Sequence, residues 1–291
     1  MQWLFTQLGI LFTKIISLVP FSLMRTLSDI FYFFINRIYA FRKTIITINL
    51  MNALPDKRSE ELWFIRTNFY RHWTDLIFEW IKTISISKND LKEHIQLHHE
   101  SYALLKQLEQ KNQPIFILMA HYGNWKWAQM LFGLDATFEY YCVDEHTKNK
   151  TYFQFLKQLF SRFNAQLVED ANTIFDKPSN NKKNKMIAIL ADENPSTNDA
   201  IYSTKLMNIK TDFSTKYIEI AQQQNAIILY ASVQKLNRMY YEIKLDTITE
   251  NAESAKTANI TDKLAQLIEK DVLYKPEYWN WSWKKWKLAG I

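Results

Sequence analysis

A single histidine follows a short apolar run and stands in a turn that contains a glycine. Ile115 to Met119 are all apolar, and Ala120-His121-Tyr122-Gly123-Asn124 comes next. Imidazole titrates near neutral pH, and a strand end holds a side chain still, so His121 is the leading candidate for a general base. Five residues later stands Lys126, where a carboxylate would help such a base. A lysine cannot accept the imidazole proton, and its charge disfavours a nearby imidazolium.

A second polar residue follows another apolar run. Met186 to Ala191 are apolar and lead into Asp192-Glu193-Asn194-Pro195. In open α/β sheets, ligands bind beyond the carboxyl ends of the strands, so His121 and Asp192 are predicted to share one cleft. In the alternative interpretation Asp192 is a turn-forming residue ahead of Asn-Pro. The residues alone do not separate these two interpretations.

From Pro114 onward, short apolar runs alternate with helical segments, which predicts an α/β fold with a mixed sheet flanked by helices. The runs expected to form strands are Ile115 to Met119, Glu139 to Val143, Gln166 to Val168, Met186 to Leu190, Ala226 to Val233 and Tyr240 to Leu245. Upstream, apolar residues at helical spacing predict a long helix from Ser59 to about Lys82. Only 4 glycines and 6 prolines in 291 residues favour long helices over tight turns.

The first 45 residues are both apolar and basic. Their charged residues are Lys14, Arg25, Arg37, Arg42 and Lys43, against the single acidic residue Asp29. Basic charge beside an apolar surface fits an anionic membrane better than nucleic acid, which requires a solvated basic face. Residues 1–45 are therefore predicted to form an apolar helical hairpin for membrane attachment, followed by an α/β domain over residues 46–291. The alternative is a hairpin that packs on the protein itself.

The cysteine and histidine content gives no sign of a metal centre. Cys142 is the only cysteine and cannot form an internal disulfide. No Cys/His cluster has the spacing of a zinc site. We therefore expect no metal.

Tryptophan is concentrated near the C-terminus. Four of the ten tryptophans fall within eight residues, at positions 279, 281, 283 and 286. Such rings beside lysines suit a membrane interface, an acyl-chain groove or a buried aromatic core, and all three interpretations stay open.

Several motifs occur in the order that one protein family shows. Ala120-His121-Tyr122-Gly123-Asn124-Trp125 resembles the histidine motif of the bacterial lipid A biosynthesis (lauroyl/myristoyl) acyltransferases, within the lysophospholipid acyltransferase superfamily. The likeness runs nearly from end to end. Further matching segments are Leu18-Val19-Pro20-Phe21, Phe69-Tyr70-Arg71-His72 with Asp75 and Glu79, Lys148-Asn149-Lys150, Ser161-Arg162-Phe163, Ala191-Asp192 before Asn194-Pro195, and Pro276-Glu277 leading to Lys285-Trp286-Lys287.

The resemblance implies an enzyme on the cytoplasmic face of a Gram-negative inner membrane. Such an enzyme moves a fatty acyl group from acyl carrier protein, or from acyl-CoA, to a lipid A precursor or a related lipid acceptor. It implies no metal or redox cofactor. The placement of the basic residues in apolar segments argues against a nucleic-acid partner. By resemblance, the predicted catalytic residues are His121, Lys126 and Asp192. The predicted substrate-binding residues are Tyr122, Gly123, Asn124, Trp125, Lys148, Lys150 and Arg162.

The chain departs from the family pattern at several positions. Lys126 replaces the carboxylate after the histidine, Lys216-Tyr217 replaces a Gly-Pro pair, and Trp283 replaces a histidine. Two hypotheses follow. In the first, His121 is the base of an acyltransferase and Lys126 contacts the oxyanion or a carrier phosphate. In the second, the chain is a catalytically inactive homologue that binds lipid or acyl carrier protein and assists a partner enzyme.

Overall fold

The N-terminal part of the chain is helical. The structure is a computed structural model and describes residues 2–39, 41–135, 137–145, 147, 149–176, 183–197, 199–283 and 285–286. A π-helical turn, Phe34–Tyr39, follows the second helix. The helices of this part are α1 (Gln2–Ser17), α2 (Phe21–Phe33), α3 (Lys43–Ala53), α4 (Ser59–Lys82), α5 (Lys88–His94) and α6 (His99–Glu109).

The long helix α4 supports the N-terminal helices. It begins where the sequence supplies a cap, because the Glu61 carboxylate accepts the Arg58 N–H at 3.1 Å. Helix α2 packs along α4, and Ser28 Oγ donates to Asp75 Oδ1 at 2.8 Å. The predicted helix from Ser59 to Lys82 is confirmed.

The turn between α1 and α2 is tied to the end of α4. Lys82 Nζ donates to the carbonyls of Ser17 at 3.0 Å and Val19 at 2.9 Å. Large apolar side chains nevertheless remain exposed on and beside these helices, at Leu11, Phe12, Ile15, Leu18, Leu23, Ile30, Phe31, Phe33 and Phe34. Among the described residues, no helix combines the length and apolarity needed to cross a membrane. The two apolar helices are present, and their attachment to a membrane stays a prediction.

A seven-stranded mixed sheet forms the centre of the described structure, with a separate two-stranded sheet beside it. The strands are β1 (Ile95–Leu97), β2 (Ile115–Met119), β3 (Glu139–Val143), β4 (Gln166–Val168), β5 (Lys185–Leu190), β6 (Ile201–Leu206), β7 (Ile209–Ser214), β8 (Ile227–Asn237) and β9 (Tyr240–Thr249). The large sheet has the order β1-β9-β8-β2-β5-β3-β4. Its neighbours are parallel except in the β8–β9 hairpin.

Helices cover both faces of this sheet. The helices that follow in the chain are α7 (Trp125–Phe132), α8 (Lys150–Ser161), α9 (Lys216–Gln223) and α10 (Thr257–Tyr274). Alternate side chains of β2 enter two separate cores: Ile115 and Ile117 pack with α7 and α8, and Phe116 and Leu118 pack with α9 and α10. The expected mixed sheet flanked by helices is confirmed.

All six predicted strands are present, and three more were not predicted. Strands β8 and β9 run beyond Val233 and Leu245 into partly exposed residues, where no apolar run marks them. The short β1 and the β6–β7 hairpin also lack such a run. The hairpin turns at Met207 and Asn208, with φ of 51° and 60°, so a left-handed turn forms here without the glycine that usually signals one.

The register of two parallel strands places the candidate residues side by side. Met119 pairs with Leu190 in the β2–β5 ladder, and the Ala191 N–H donates to the Met119 carbonyl at 2.8 Å. His121 lies two residues after Met119, and Asp192 lies two residues after Leu190. Both side chains therefore lie at the carboxyl edge of the sheet, where ligands of α/β folds bind.

Candidate active site

The turn after β2 depends on one glycine. Gly123 has a φ of +61°, in the left-handed region that side chains disfavour. A Cβ here would lie 2.1 Å from the Val233 carbonyl oxygen, because the turn packs directly on β8. The Gly123 N–H donates to the Tyr278 carbonyl at 3.1 Å. This backbone accommodates glycine and fixes the direction in which His121 leaves the sheet.

His121 and Asp192 form a buried pair. The His121 backbone N–H lies 2.9 Å from Asp192 Oδ2, and His121 Nδ1 lies 2.7 Å from Asp192 Oδ1. The Trp279 indole N–H also donates to Oδ2, at 2.9 Å. Burial alone would raise the pKa of Asp192, but His121 and Lys285 bring that pKa below its ordinary value. Because an ionised carboxylate only accepts hydrogen bonds, Nδ1 of His121 carries the proton and Nε2 of the neutral ring has a free lone pair.

The imidazole borders a cavity of about 280 Å³. Glu193 Oε1 lies 3.6 Å from His121 Nε2, just beyond hydrogen-bond distance. The rings of Trp125 and Trp283 flank the imidazole, with centroids 4.9 Å and 4.5 Å away. A candidate base is therefore held between two indoles, with one nitrogen fixed and the other beside open space.

The cavity wall combines apolar and polar groups. Its apolar residues include Val143, Leu156, Phe160, Leu167 and Ile189, drawn from β3, α8, β4 and β5. Polar groups on the same wall are Lys126, Gln129, Asp144, Glu145, Glu193 and Asn280. A concavity that offers apolar side chains beside polar groups suits an aliphatic ligand that carries a polar reacting end.

Lys126 places a cation on this wall. Its Nζ lies 3.7 Å from the centroid of the Trp80 ring, in a close cation–π contact. Burial lowers the pKa of Lys126 to about 8, against the opposing effect of Asp144. His121 and Lys126 thus line one cavity, and Asp192 joins them through its bond to the imidazole.

Residues at the end of α4 form hydrogen bonds with the beginning of α7. Asn124 caps α7, since its Oδ1 accepts the Trp127 N–H at 3.0 Å, and its Nδ2 donates to Glu79 Oε2 at 2.6 Å. The Trp127 indole N–H donates to Thr83 Oγ1 at 2.8 Å. We call Glu79, Trp80 and Thr83 the α4 clamp. It holds the three residues Asn124, Lys126 and Trp127 in the first turn after His121.

Glu79 of the α4 clamp is fully buried. Besides Asn124, it accepts the Tyr241 hydroxyl, at 2.8 Å from Oε2. Burial raises the pKa of Glu79 to about 7, although Lys235 and these hydrogen bonds oppose the rise. The cap of α7 is therefore anchored on a carboxyl that titrates near neutral pH.

The tryptophan-rich segment forms the back of the site. Trp279, Trp281 and Trp286 are buried, which fits the buried aromatic core among the three interpretations. The Asn280 N–H donates to the His121 carbonyl at 3.0 Å, and Asn49 Nδ2 donates to the Trp281 carbonyl at 2.9 Å. Within the described residues, no three His, Cys, Asp or Glu side chains are grouped so as to hold a metal ion.

This arrangement occurs in a chain whose sequence matches a known family over almost its whole length. Residues 1–288 match the family described as bacterial lipid A biosynthesis acyltransferase. The chain belongs to this family. No curated protein is similar enough to add a substrate or a partner to that assignment. The resemblance seen in the motifs is confirmed, and the cavity beside His121 becomes the candidate active site of an acyltransferase.

Four of the predicted substrate-binding residues lie in the turn of this acyltransferase-family chain. Trp125 lines the cavity, whereas Gly123 and Asn124 shape the turn behind it. Tyr122 is buried and is not part of the cavity wall; its ring meets that of Tyr278 at a centroid distance of 6.3 Å.

The other three predicted substrate-binding residues are basic. Arg162 Nη1 donates to the Thr83 carbonyl at 3.0 Å and Nη2 to the Ile86 carbonyl at 2.8 Å, so it fastens the chain that leaves α4. Lys150 begins α8 and is exposed. Neither lines the cavity, and Lys148 lies outside the described residues.

Four residues of the site had no predicted role. Glu193 borders His121 Nε2, Trp279 binds Asp192, and Glu79 anchors Asn124. Lys285 Nζ donates to the Asp192 carbonyl at 2.7 Å, and burial lowers its pKa to about 8. Glu79, Trp279 and Lys285 lie in segments that match the family motifs, so the motif order could have identified them as candidates. Their contacts in the site could not be predicted from the sequence.

Proposed function

We propose that the chain transfers a fatty acyl group from a thioester donor to the hydroxyl of a lipid acceptor, at the cavity beside His121. The observation that carries this proposal is the 2.7 Å contact of Asp192 with His121 Nδ1, which leaves Nε2 directed to the cavity. The family implies an acyl donor and a lipid acceptor. We infer that the donor is acyl carrier protein, with acyl-CoA as the other option, and the acceptor a lipid A precursor.

The proposed reaction needs one base and no further reactant. His121 Nε2 takes the proton of the acceptor hydroxyl while the hydroxyl oxygen attacks the thioester carbonyl carbon. Asp192 stabilises the imidazolium that forms. When the tetrahedral intermediate collapses, the C–S bond breaks and the imidazolium returns its proton to the thiolate. The products are an ester and a free thiol.

The lysine at position 126 is compatible with this chemistry. Asp192 supplies the carboxylate that Lys126 cannot, so the loss of the acid five residues after His121 does not leave the base unsupported. A cation on the cavity wall suits the oxyanion of the intermediate or the phosphate of the carrier arm. These contacts favour a working enzyme over an inactive homologue.

We further propose that α1 and α2 lie on the cytoplasmic face of the inner membrane. Phe12 and Leu18 are 63% and 74% exposed, and further large apolar residues are exposed along both helices. Apolar side chains in this density beside basic residues suit the interfacial layer of an anionic bilayer.

Acyl transfer by the purified protein in detergent tests the reaction. Acyl carrier protein thioesters and acyl-CoA are offered with a panel of lipid A precursors and other hydroxyl lipids, and ester and thiol are measured together. We expect His121→Ala to reduce transfer by about 10³-fold or more. His99→Ala, at an exposed histidine, is the matched control.

Two outcomes contradict the assignment. Transfer that is indifferent to His121→Ala removes His121 from the mechanism. No transfer by the native chain, with a gain in Lys126→Glu, assigns it to the inactive homologues instead. For the membrane, Phe12→Asp with Leu18→Asp is expected to release the protein from anionic vesicles in a flotation assay, and unchanged flotation contradicts interfacial attachment.

A further inference from the structure

A second cavity, of about 430 Å³, lies beside Tyr278, the residue whose carbonyl holds Gly123. It shares no wall residue with the cavity beside His121. Tyr32 from α2, His72 from α4 and Lys235 from the end of β8 contribute to its wall. A concavity of this size is large enough for a small ligand or the polar end of a larger one, and no step of acyl transfer uses it.

Most of the charged groups on this wall neutralise one another. Asp75 binds Lys235 Nζ at 3.1 Å and Arg238 Nη2 at 2.7 Å, and Arg238 also reaches Asp29 at 3.0 Å. Burial, reinforced by Lys235, holds the pKa of His72 well below its usual value, so this imidazole is neutral at pH 7. The charges of Asp29, Asp75, Lys235 and Arg238 are therefore paired with one another and are not available to a ligand.

Two charged residues on the wall are outside these pairs. Arg71 lies over the Tyr32 ring, with its Cζ 5.1 Å from the centroid, and Glu277 begins the C-terminal aromatic segment. Within the described residues, neither has an oppositely charged group within 4.0 Å, so the two do not neutralise each other. One wall thus offers a separate cation and a separate anion, which matches a ligand that carries both charges.

Helix α2, which contributes Tyr32 to this wall, also carries exposed apolar side chains. Phe31 and Phe33 of the same helix are 37% and 56% exposed. A ligand whose charged end occupies the cavity can therefore lay an apolar tail along α2. Both requirements are met by a phospholipid.

We propose that this cavity binds the headgroup of an ethanolamine phospholipid. Arg71 contacts the phosphate diester, since guanidinium is well suited to phosphate oxygens. Glu277 accepts hydrogen bonds from the primary ammonium. A choline headgroup has the same net charge but no N–H to donate, and a glycerol headgroup has no cation for Glu277.

Vesicle flotation separates these headgroups. Vesicles of phosphatidylcholine are compared with vesicles in which an equal fraction is replaced by phosphatidylethanolamine or phosphatidylglycerol. We expect wild-type protein to bind the ethanolamine vesicles about tenfold more tightly than the choline vesicles, the value of one charge-assisted hydrogen bond. Glu277→Gln removes that preference and improves binding to phosphatidylglycerol. Arg71→Gln weakens binding to all three, and Glu253→Gln, at an exposed carboxylate, changes none.

Free glycerophosphoethanolamine distinguishes the lipid from a soluble phosphate ester. It is expected to compete with the ethanolamine vesicles, and the competition is lost in both cavity variants. Binding of the free compound in calorimetry, without any preference among vesicles, assigns the cavity to a soluble ligand and overturns the lipid. An ethanolamine preference that survives both substitutions excludes the cavity as its source. Thermal unfolding confirms that the variants fold, and acyl transfer in detergent, which does not need this site, reports separately on the reaction.

Discussion

Two charged residues approach His121 from different parts of the chain, and they are held in different ways. Asp192 lies 71 residues away in sequence and touches the imidazole at 2.7 Å. Lys126 lies five residues away, shares the cavity, and rests on the Trp80 ring. The register of the parallel strands therefore brings Asp192 into direct contact with His121. Lys126 is much closer in sequence but only shares the cavity. The local histidine motif alone contains Lys126 but not Asp192, the residue that bonds to the imidazole.

The two residues also differ in how firmly they are fixed. The Asp192 carboxylate is bound by the His121 backbone, the imidazole and the Trp279 indole. Lys126 Nζ has a cation–π contact with Trp80, and its side chain is half-buried. A carboxylate bonded to the imidazole can set its tautomer, whereas a cation on the cavity wall can act only on charge that develops in the cavity.

Replacing Asp192 by Asn is the strongest test of this difference. The amide is nearly isosteric but cannot stabilise an imidazolium, and it can donate to Nδ1 and so reverse the tautomer. We expect kcat to fall by about 10³–10⁴-fold, as in other His–carboxylate pairs, with little change in the melting temperature. Asp176→Asn, at an exposed carboxylate, serves as the control. A loss no greater than that of the control would show that Asp192 is only a turn residue.

The turn that aims His121 at Asp192 can be broken without touching either residue. Gly123→Ala adds a Cβ 2.1 Å from the Val233 carbonyl oxygen at a positive φ, so the backbone must move. We expect unfolding free energy to drop by roughly 2–5 kcal/mol, measured by urea denaturation, with loss of transfer. Gly9→Ala in α1 meets no atom within 4 Å and is expected to be neutral or slightly stabilising. Equal effects of the two substitutions would contradict the tight packing of the turn.

The sequence allowed the prediction of elements marked by apolar runs. The buried strands β2 and β5 stand out because helices cover both of their faces. The β6–β7 hairpin does not stand out, because its exposed and buried side chains alternate and its turn uses Met207 and Asn208. The β2 and β5 runs are therefore detectable from the sequence because burial is two-sided, whereas the β6–β7 hairpin, buried on one side, is not.

Only part of the candidate site was within reach of the sequence. Asp192 was identified by its place after an apolar run, but its contact with His121 follows from the β2–β5 register, which no local pattern encodes. Glu79 and Trp279 reach the site from 45 and 87 residues away. Their pairing depends on how α4 and the C-terminal segment pack, and that is decided by the whole core.

The charge on Lys126 gives a pH-dependent test of the weaker partner. Because burial lowers the pKa of Lys126 to about 8, the cation is present at pH 7 and largely lost at pH 9. If it stabilises negative charge in the transition state, kcat falls through this range by about tenfold. In Lys126→Met, kcat is expected to be low already at pH 7 and not to fall further at pH 9. In Lys126→Arg, which stays charged, kcat is expected to be maintained at pH 9. A decline that persists in Lys126→Met assigns it to another group, with Lys285 the first to examine because its pKa is also about 8.

The α4 clamp gives the smallest expected effect on transfer, because Glu79 acts on Asn124 and not on the reacting atoms. Burial raises the pKa of Glu79 from 4.5 to about 7, so the folded protein keeps a proton that the unfolded chain has already lost. The contribution of Glu79 to stability is therefore full below pH 4.5 and declines as the pH rises to 7. Glu79→Gln removes this titration while keeping a hydrogen-bonding side chain in place. We expect the unfolding free energy of the variant, relative to wild type, to gain roughly 3 kcal/mol between pH 4.5 and pH 8. Urea denaturation across this range measures the difference, and a constant difference would contradict a protonated Glu79. A pH-dependent gain in stability with unchanged kcat would show that the α4 clamp stabilises α7 and does not take part in catalysis. Asp192 would then be the partner of His121 that affects the reaction.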